Sequence, residues 1–349
     1  MYNKSVLAID VGGGTQDILL YEPDKNIENC TKLVLPSPTV LVRNQINNAT
    51  QDGKDIFLTG PVMGGGPSVR GVKDHLASGL KAYATPEAAK TIYDDLDRVR
   101  EFGVIITEDP PAKNIAAIAT GDLDLPRLEQ VLKLFQLPFP EEVAVAVQDH
   151  GEAIGQSNRQ VRSKNWEDFI LSGGNPYELI YREVPAHLTR MQGVKKLFPQ
   201  AILMDTGPAA IIGALCDPEV ARHQETGLTI VNVGNMHTLA FLIKGDKIWG
   251  MFEHHTKMMT PEKLACLLAR LQQGKLTQEE IYQDGGHGGT ISSHYSDLPS
   301  PFEFVSVTGP NRRLAEVLNP YFAVPYGDMM LSGCFGLVKA LAHSAASLN

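Results

Sequence analysis

Cysteine is scarce in this chain. Four occur in 349 residues, Cys30, Cys216, Cys266 and Cys334, and no two stand in a C-x-x-C spacing. That argues against a disulfide framework and a paired-cysteine zinc site, and it fits a reducing cytoplasm. Long apolar runs are missing too. No stretch reaches the roughly 18 residues that a membrane-crossing helix needs. The richest, Leu228 to Ile243, is interrupted by Asn232, Gly234, Asn235 and His237. The opening MYNKSVLAID has no apolar signal core and leads straight into strand-like sequence. Excess positive charge is also lacking. A formal net charge of -9 argues against nucleic acid and anionic membrane as partners.

What is present is an ordinary globular composition, 43% hydrophobic and 20% charged, with length enough for two domains. One weak repeat stands out. Residues 5–21 read SVLAIDVGGGTQDILLY and residues 228–243 read LTIVNVGNMHTLAFLI. Each is an apolar strand, a polar residue (Asp10 or Asn232), a glycine-bearing turn and a second apolar strand. Each predicts a β-hairpin whose tip offers backbone N–H groups and a side-chain oxygen.

Helix and strand signals alternate elsewhere. Thr85-Pro86-Glu87 opens a helix with Ala89, Ile92, Leu96 and Val99 along one face, and Asp124-Leu125-Pro126 and Thr260-Pro261-Glu262 open two more. Val104 to Thr107, Ile115 to Thr120, Val143 to Val147, Lys247 to Glu253 and Phe302 to Thr308 read as strands. Asn311 to Leu318 and Leu331 to Ala342 read as helices. The alternation predicts an α/β protein with partly parallel, buried sheets, divided near residue 200.

The run Asp10-Val11-Gly12-Gly13-Gly14-Thr15-Gln16-Asp17 has a physical logic of its own. Glycines let the backbone approach a polyphosphate, tip amides donate to its oxygens, Thr15 adds a hydroxyl, and Asp10 can hold Mg²⁺ through water. The run resembles the first phosphate motif of the ATPase superfamily of actin, the seventy-kilodalton heat-shock chaperones and the sugar kinases. Other segments follow in the superfamily's order. Asp205-Thr206-Gly207-Pro208-Ala209-Ala210 resembles the connecting helix. Asn232, Gly234 and Asn235 fall in the second phosphate motif. Gly309, Pro310, Asn311 and Arg312 resemble the adenosine motif, and Gly333 lies in the closing helix. The resemblance covers residues 1–36 and about 200–345. It implies two ribonuclease-H-like domains, 1–200 and 201–349, around a cleft for ATP and Mg²⁺, with an insertion at about 37–200. The alternative architecture is one doubly wound domain plus a separate module.

The whole chain is further similar to a bacterial and archaeal family of this superfamily labelled pyruvate formate-lyase activating enzyme. Met63-Gly64-Gly65-Gly66-Pro67, Ala146-Val147-Gln148-Asp149-His150-Gly151 and Asp205-Thr206-Gly207 carry that similarity. The label conflicts with the residues. A radical activator of that kind holds its cluster with C-x-x-x-C-x-x-C, which four scattered cysteines cannot supply.

The expected functions follow. The leading one is an ATP-binding phosphotransferase or ATPase acting on a small molecule. The others are a nucleotide-binding regulatory or assembly protein without hydrolysis, and an ATP-dependent activator of another enzyme; a homodimer or a partner enzyme is compatible with each. Asn232 replaces the aspartate expected in the second phosphate motif, which weakens magnesium binding there, and His237 stands near the expected threonine. Asp205 is a candidate general base by resemblance, or else a helix cap or ion-pair partner. Asp149 and His150, after an apolar strand, are acid–base candidates, or a cap and a surface residue. Gly64, Gly65, Gly66 and Arg70 are candidates for holding an anionic substrate, or a plain loop. His254, His255, His287 and His294 form a histidine-rich neighbourhood of no known ligand spacing, and 284–289 reads as a mobile rim of the cleft.

Overall fold

The computed structural model describes residues 2–110, 113–297 and 302–346. Two six-stranded sheets follow one plan. In the first, Val6–Val11, Thr15–Tyr21 and Thr31–Pro36 form an antiparallel meander. Glu142–Val147 pairs parallel to Val6–Val11 on its other side, Ile202–Met204 lies beyond it, and Ile180–Tyr181 closes that edge. In the second, Leu228–Val233, His237–Lys244 and Lys247–His255 form the meander. Val305–Thr308 and then Tyr321–Phe322 follow in parallel on the far side, and Gly288–Ile291 extends the outer edge. The shared strand order, 3-2-1-4-5, is the ribonuclease-H-like arrangement, present twice. A single doubly wound domain with a separate module is therefore excluded.

The two hairpins match residue for residue. Val11 pairs with Gln16 and Val233 with Thr238 at the tips. The Gly12 N–H donates to the Thr15 carbonyl at 2.9 Å, and the Gly234 N–H donates to the His237 carbonyl at 2.9 Å. The turns have equal length, so His237 stands where Thr15 does. Thr238 is buried one step further down its strand and shares a hydroxyl hydrogen bond with Thr256 at 3.0 Å.

Two helices tie the sheets together. Thr206–Ala214 leaves the first sheet but packs Ile211 and Ala214 on Leu228, Ile230 and Phe241 of the second. Ser332–Ala346, after the second sheet, packs Cys334, Phe335, Leu337 and Leu341 on Ala8, Leu19 and Ala144 of the first. Where they cross, a Cβ on Gly213 would collide with the Ser332 carbonyl, and one on Gly336 with the Ala209 carbonyl. Only hydrogen at these positions lets the backbones meet.

The insertion is smaller than expected. Glu142–Val147, inside the expected 37–200 stretch, belongs to the first sheet. The added sheet holds four short parallel strands, Asp55–Thr59, Ala82–Ala84, Ile105–Ile106 and Ile115–Ala119, over its own core of Ile46, Ile56, Val72 and Val99. Two further corrections concern local structure. The helix expected from Thr85 through Val99 is broken into Pro86–Ala89 and Leu96–Glu101. Thr85 caps the first by accepting the Ala88 N–H at 3.2 Å, and Asp95 caps the second by accepting the Asp97 N–H at 2.9 Å. The expected rim at 284–289 is packed in. His287 is buried, Gly288 and Gly289 enter the edge strand, and Arg159 donates to the Gly286 carbonyl at 2.8 Å. Among the described residues, no helix is long and apolar enough to cross a membrane.

Candidate functional site

A cavity of about 420 Å³ opens between the hairpin tips, and the insertion forms part of its wall. Asp10 ends the first strand there, and Gly12, Gly13 and Thr15 line the wall beside it. Asp10 Oδ1 is buried with no hydrogen-bond partner among the described residues. Burial, with the Asp17 and Asp205 charges behind it, pushes this carboxyl well above the usual range. Asp17 pairs across the ladder from Asp10, and burial pushes it up to about 7. Gly333, in the first turn of the closing helix, lies against Asp10 so closely that a Cβ would overlap its carboxylate. An orphaned carboxyl oxygen in a polar cleft is an unmet demand for a cation or proton.

From the second half, Asn232, Gly234, Asn235, Gly309 and Pro310 line the cavity. Gly309 backs onto the Asn232 side-chain oxygen. Three predicted contacts fall outside the lining. Asn311 ties the hairpin tip instead, donating from Nδ2 to the Gly234 carbonyl at 3.0 Å and from its backbone N–H to Val233 at 3.0 Å. The Arg312 guanidinium lies 5.8 Å from the Phe322 ring. Gly14 holds the following chain, its carbonyl accepting the Ser37 N–H at 3.1 Å. Met236, at the second tip, reaches across. A Cβ on Gly13 would overlap its Cγ, and one on Gly66 would lie 3.3 Å from its methyl carbon.

Gly64, Gly65 and Gly66 line the cavity from the insertion, but Arg70 does not. It faces a separate shallow groove with Lys73 and Asp74. The cation beside the glycine loop is Arg190, whose guanidinium sits against Gly64 and pairs with buried Asp122 at 2.7 Å.

The two acid candidates are engaged. Asp205 caps its helix by accepting the Gly207 N–H at 3.0 Å, and both its oxygens accept from Arg162, at 2.5 and 2.9 Å. Asp149 accepts backbone N–H groups from Gly151 and Met191, both at 2.9 Å. Asp205 thus takes the cap and ion-pair places that the sequence left open beside the base, and Asp149 accepts backbone amides as a cap would. His150 lines the cavity, and burial holds its imidazole well below the usual range, so it is neutral near pH 7.

The histidine neighbourhood has different members from those expected. His254 is buried and bonded through Nε2 to Asp284 at 3.1 Å. The histidines that converge are His150, His237 and His287, each with one ligand-capable nitrogen within 4.8 Å of the others. His255 stands beside them, its ring centroid 5.0 Å from that of His237 and 4.9 Å from that of His287. Burial lowers His237 to about 3 and His255 to about 4. Behind them Glu253, fully buried on Lys247–His255, accepts from Arg162 Nε at 2.9 Å and pairs with His287 Nδ1 at 2.9 Å. Sequence reasoning missed Glu253 and Arg162. The available signal was an acidic residue closing the apolar run Ile248 to Phe252.

The family model described as "Putative pyruvate format-lyase activating enzyme (DUF1786)" matches residues 63–314. The chain belongs to this family. No curated protein sequence matches it. Among solved structures, a Listeria monocytogenes protein described as a "putative N-acetylmannosamine kinase" is 8% identical, with 98% of this chain and 99% of that one covered and a TM-score of 0.35. The ethanolamine utilization protein EutJ of Carboxydothermus hydrogenoformans is 10% identical, with 97% and 90% covered and a TM-score of 0.29. The PilM–PilN type IV pilus biogenesis complex aligns at 12% identity, with 97% and 98% covered and a TM-score of 0.37. The residues of this family member do not fit the cluster its family's description implies. Cys30 and Cys334 are buried and Cys266 is exposed, and no cysteine joins the group of potential metal ligands among the described residues.

Proposed function

We propose that this protein binds Mg²⁺-ATP in the cleft and acts as a phosphotransferase or ATPase on a small molecule. The observation that carries the reading is the Asp10 carboxyl, whose buried Oδ1 lacks a partner among the described residues, beside the glycine tip of the first hairpin. Asp10 would hold Mg²⁺, which neutralises phosphate charge in phosphoryl transfer, and the amides of Gly12 and Gly13 with the Thr15 hydroxyl would receive phosphate oxygens. Asn232, Gly234 and Asn235 would meet the phosphates from the opposite hairpin. Gly309 and Pro310 would border the adenosine, and Gly64 to Gly66 the second substrate. We divide the two units near residue 200.

A second reading has support of its own. Asn232 is uncharged, Asp205 is bound on both oxygens by Arg162, and Asp149 accepts a backbone N–H on each oxygen. With these two acids engaged, the second reading is a protein that binds nucleotide and turns it over slowly or not at all, as a regulatory or assembly component. Calorimetric titration with a non-hydrolysable ATP analogue and Mg²⁺ tests binding. Asp10→Asn is expected to weaken it at least tenfold, about 1.4 kcal/mol, and equal affinity in the two proteins overturns the assignment. A phosphate-release assay then separates the two readings.

A further inference from the structure

Of the imidazoles lining the cleft, none used by the nucleotide reading, three converge. They come from distant parts of the chain: His150 from the loop after Glu142–Val147, His237 from the second hairpin tip, and His287 from the entry to Gly288–Ile291. Their ring centroids lie 4.6 Å apart for His237 and His287, 5.1 Å for His150 and His287, and 6.1 Å for His150 and His237. One nitrogen from each converges within 4.8 Å of the other two.

The surroundings set which nitrogens are free. His287 Nδ1 lies 2.9 Å from the Glu253 carboxylate, an acceptor, so it carries the proton. His237 Nδ1 lies 2.5 Å from Gln148 Oε1 and also donates, because the Gln148 amide nitrogen is itself turned to Glu253 at 2.5 Å. Nε2 of both rings therefore keeps its lone pair. A buried carboxylate behind a histidine is the outer support that orients imidazole ligands toward a metal ion. Here Glu253 is fixed in turn by Arg162.

We propose that His150, His237 and His287 bind a divalent transition-metal ion of the zinc and cobalt type, at a site distinct from the Mg²⁺-phosphate position at Asp10. Three imidazoles suit such an ion and leave a coordination position open toward the cavity, where water or an anionic oxygen of a substrate can bind. Because His150 belongs to the first sheet's loop and His237 and His287 to the second half, the ion would also join the two walls of the cleft.

The test is titration of chelator-stripped protein with Co²⁺, in a Cys266→Ser background that removes the exposed thiol. The expected result is one equivalent bound, with intense visible d–d bands of low coordination number, displaced by Zn²⁺ and not by Mg²⁺. His287→Ala and the milder His237→Gln are each expected to weaken Co²⁺ at least tenfold, with circular dichroism reporting the fold. Asp10→Asn is expected to leave the Co²⁺ bands intact, which separates this site from the nucleotide site. Absence of the bands, or unchanged binding in a folded His237→Gln protein, overturns the proposal.

Discussion

Arg162 grips Asp205 with both terminal nitrogens, at 2.5 and 2.9 Å, and turns its Nε to Glu253 at 2.9 Å. One guanidinium thus neutralises the acid that caps the connecting helix and the acid behind the histidines. All three side chains are buried. Arg162→Met leaves two carboxylates without their cation, so a loss of about 3–5 kcal/mol is expected in urea unfolding. Arg162→Lys is expected to recover only part, because an ammonium cannot reproduce the fork. A loss below about 1 kcal/mol in Arg162→Met would show that the network is dispensable.

Gly333→Ala places a methyl group on the Asp10 carboxylate. The carboxyl must turn, and the Mg²⁺ dependence of nucleotide binding is expected to fall as it does in Asp10→Asn. Asn232→Asp adds a second negative charge to the cleft and is expected to raise that dependence. Calorimetry with and without Mg²⁺ reads both; an unaffected Gly333→Ala protein would separate Asp10 from the cation.

Gly336→Ala and Gly213→Ala drive methyl groups into backbone carbonyls at the helix crossing. No flexible side chain is available to yield, so each is expected to cost about 1–3 kcal/mol. Thermal melts would show it. A melting temperature equal to that of the parent would mean that the helices slide apart freely.

Tyr2 donates to Glu142 Oε2 at 2.5 Å, fixing the chain start to the first sheet. Burial and the Glu142 carboxylate raise the Tyr2 phenol from 10.0 to about 12. Burial would raise Glu142, but hydrogen bonds from Tyr2 and Lys4 and the Arg182 charge outweigh it and hold the carboxyl below its ordinary 4.5. Below pH 4.5 the unfolded chain takes up protons first, so this pair's stability fades on acidification. Above pH 10 the unfolded chain releases the phenol proton first, so stability fades toward pH 12. Tyr2→Phe should make both limbs shallower in denaturant midpoints measured across pH; an unchanged profile would discount the pair.

The paired hairpins were legible because alternation, a glycine turn and length are local properties. So were the caps at Asp124 and Thr260, which accept the Arg127 and Lys263 N–H groups. The helix break near Asp94 was hidden. Asp94 accepts the Ala153 N–H and the Asn158 amide from a distant segment, and a helical period carries no trace of such partners. The roles of Asp205 and Asp149 were open for the same reason. Arg162 lies 43 residues from Asp205, and Met191 lies 42 from Asp149. The histidine convergence has no spacing signature at all, since its members meet only after both halves fold.

Met236 lines the cleft, its side chain packed on Gly13 of one hairpin and within reach of Gly66 of the insertion. Any relative rotation of the walls about the crossing helices must change what its methyl group touches. That methyl is one of ten methionine methyls in the chain, few enough to resolve and assign singly by selective isotope labelling. Its chemical shift and relaxation give the molecule an internal gauge of opening, readable without a ligand, a dye or an engineered probe.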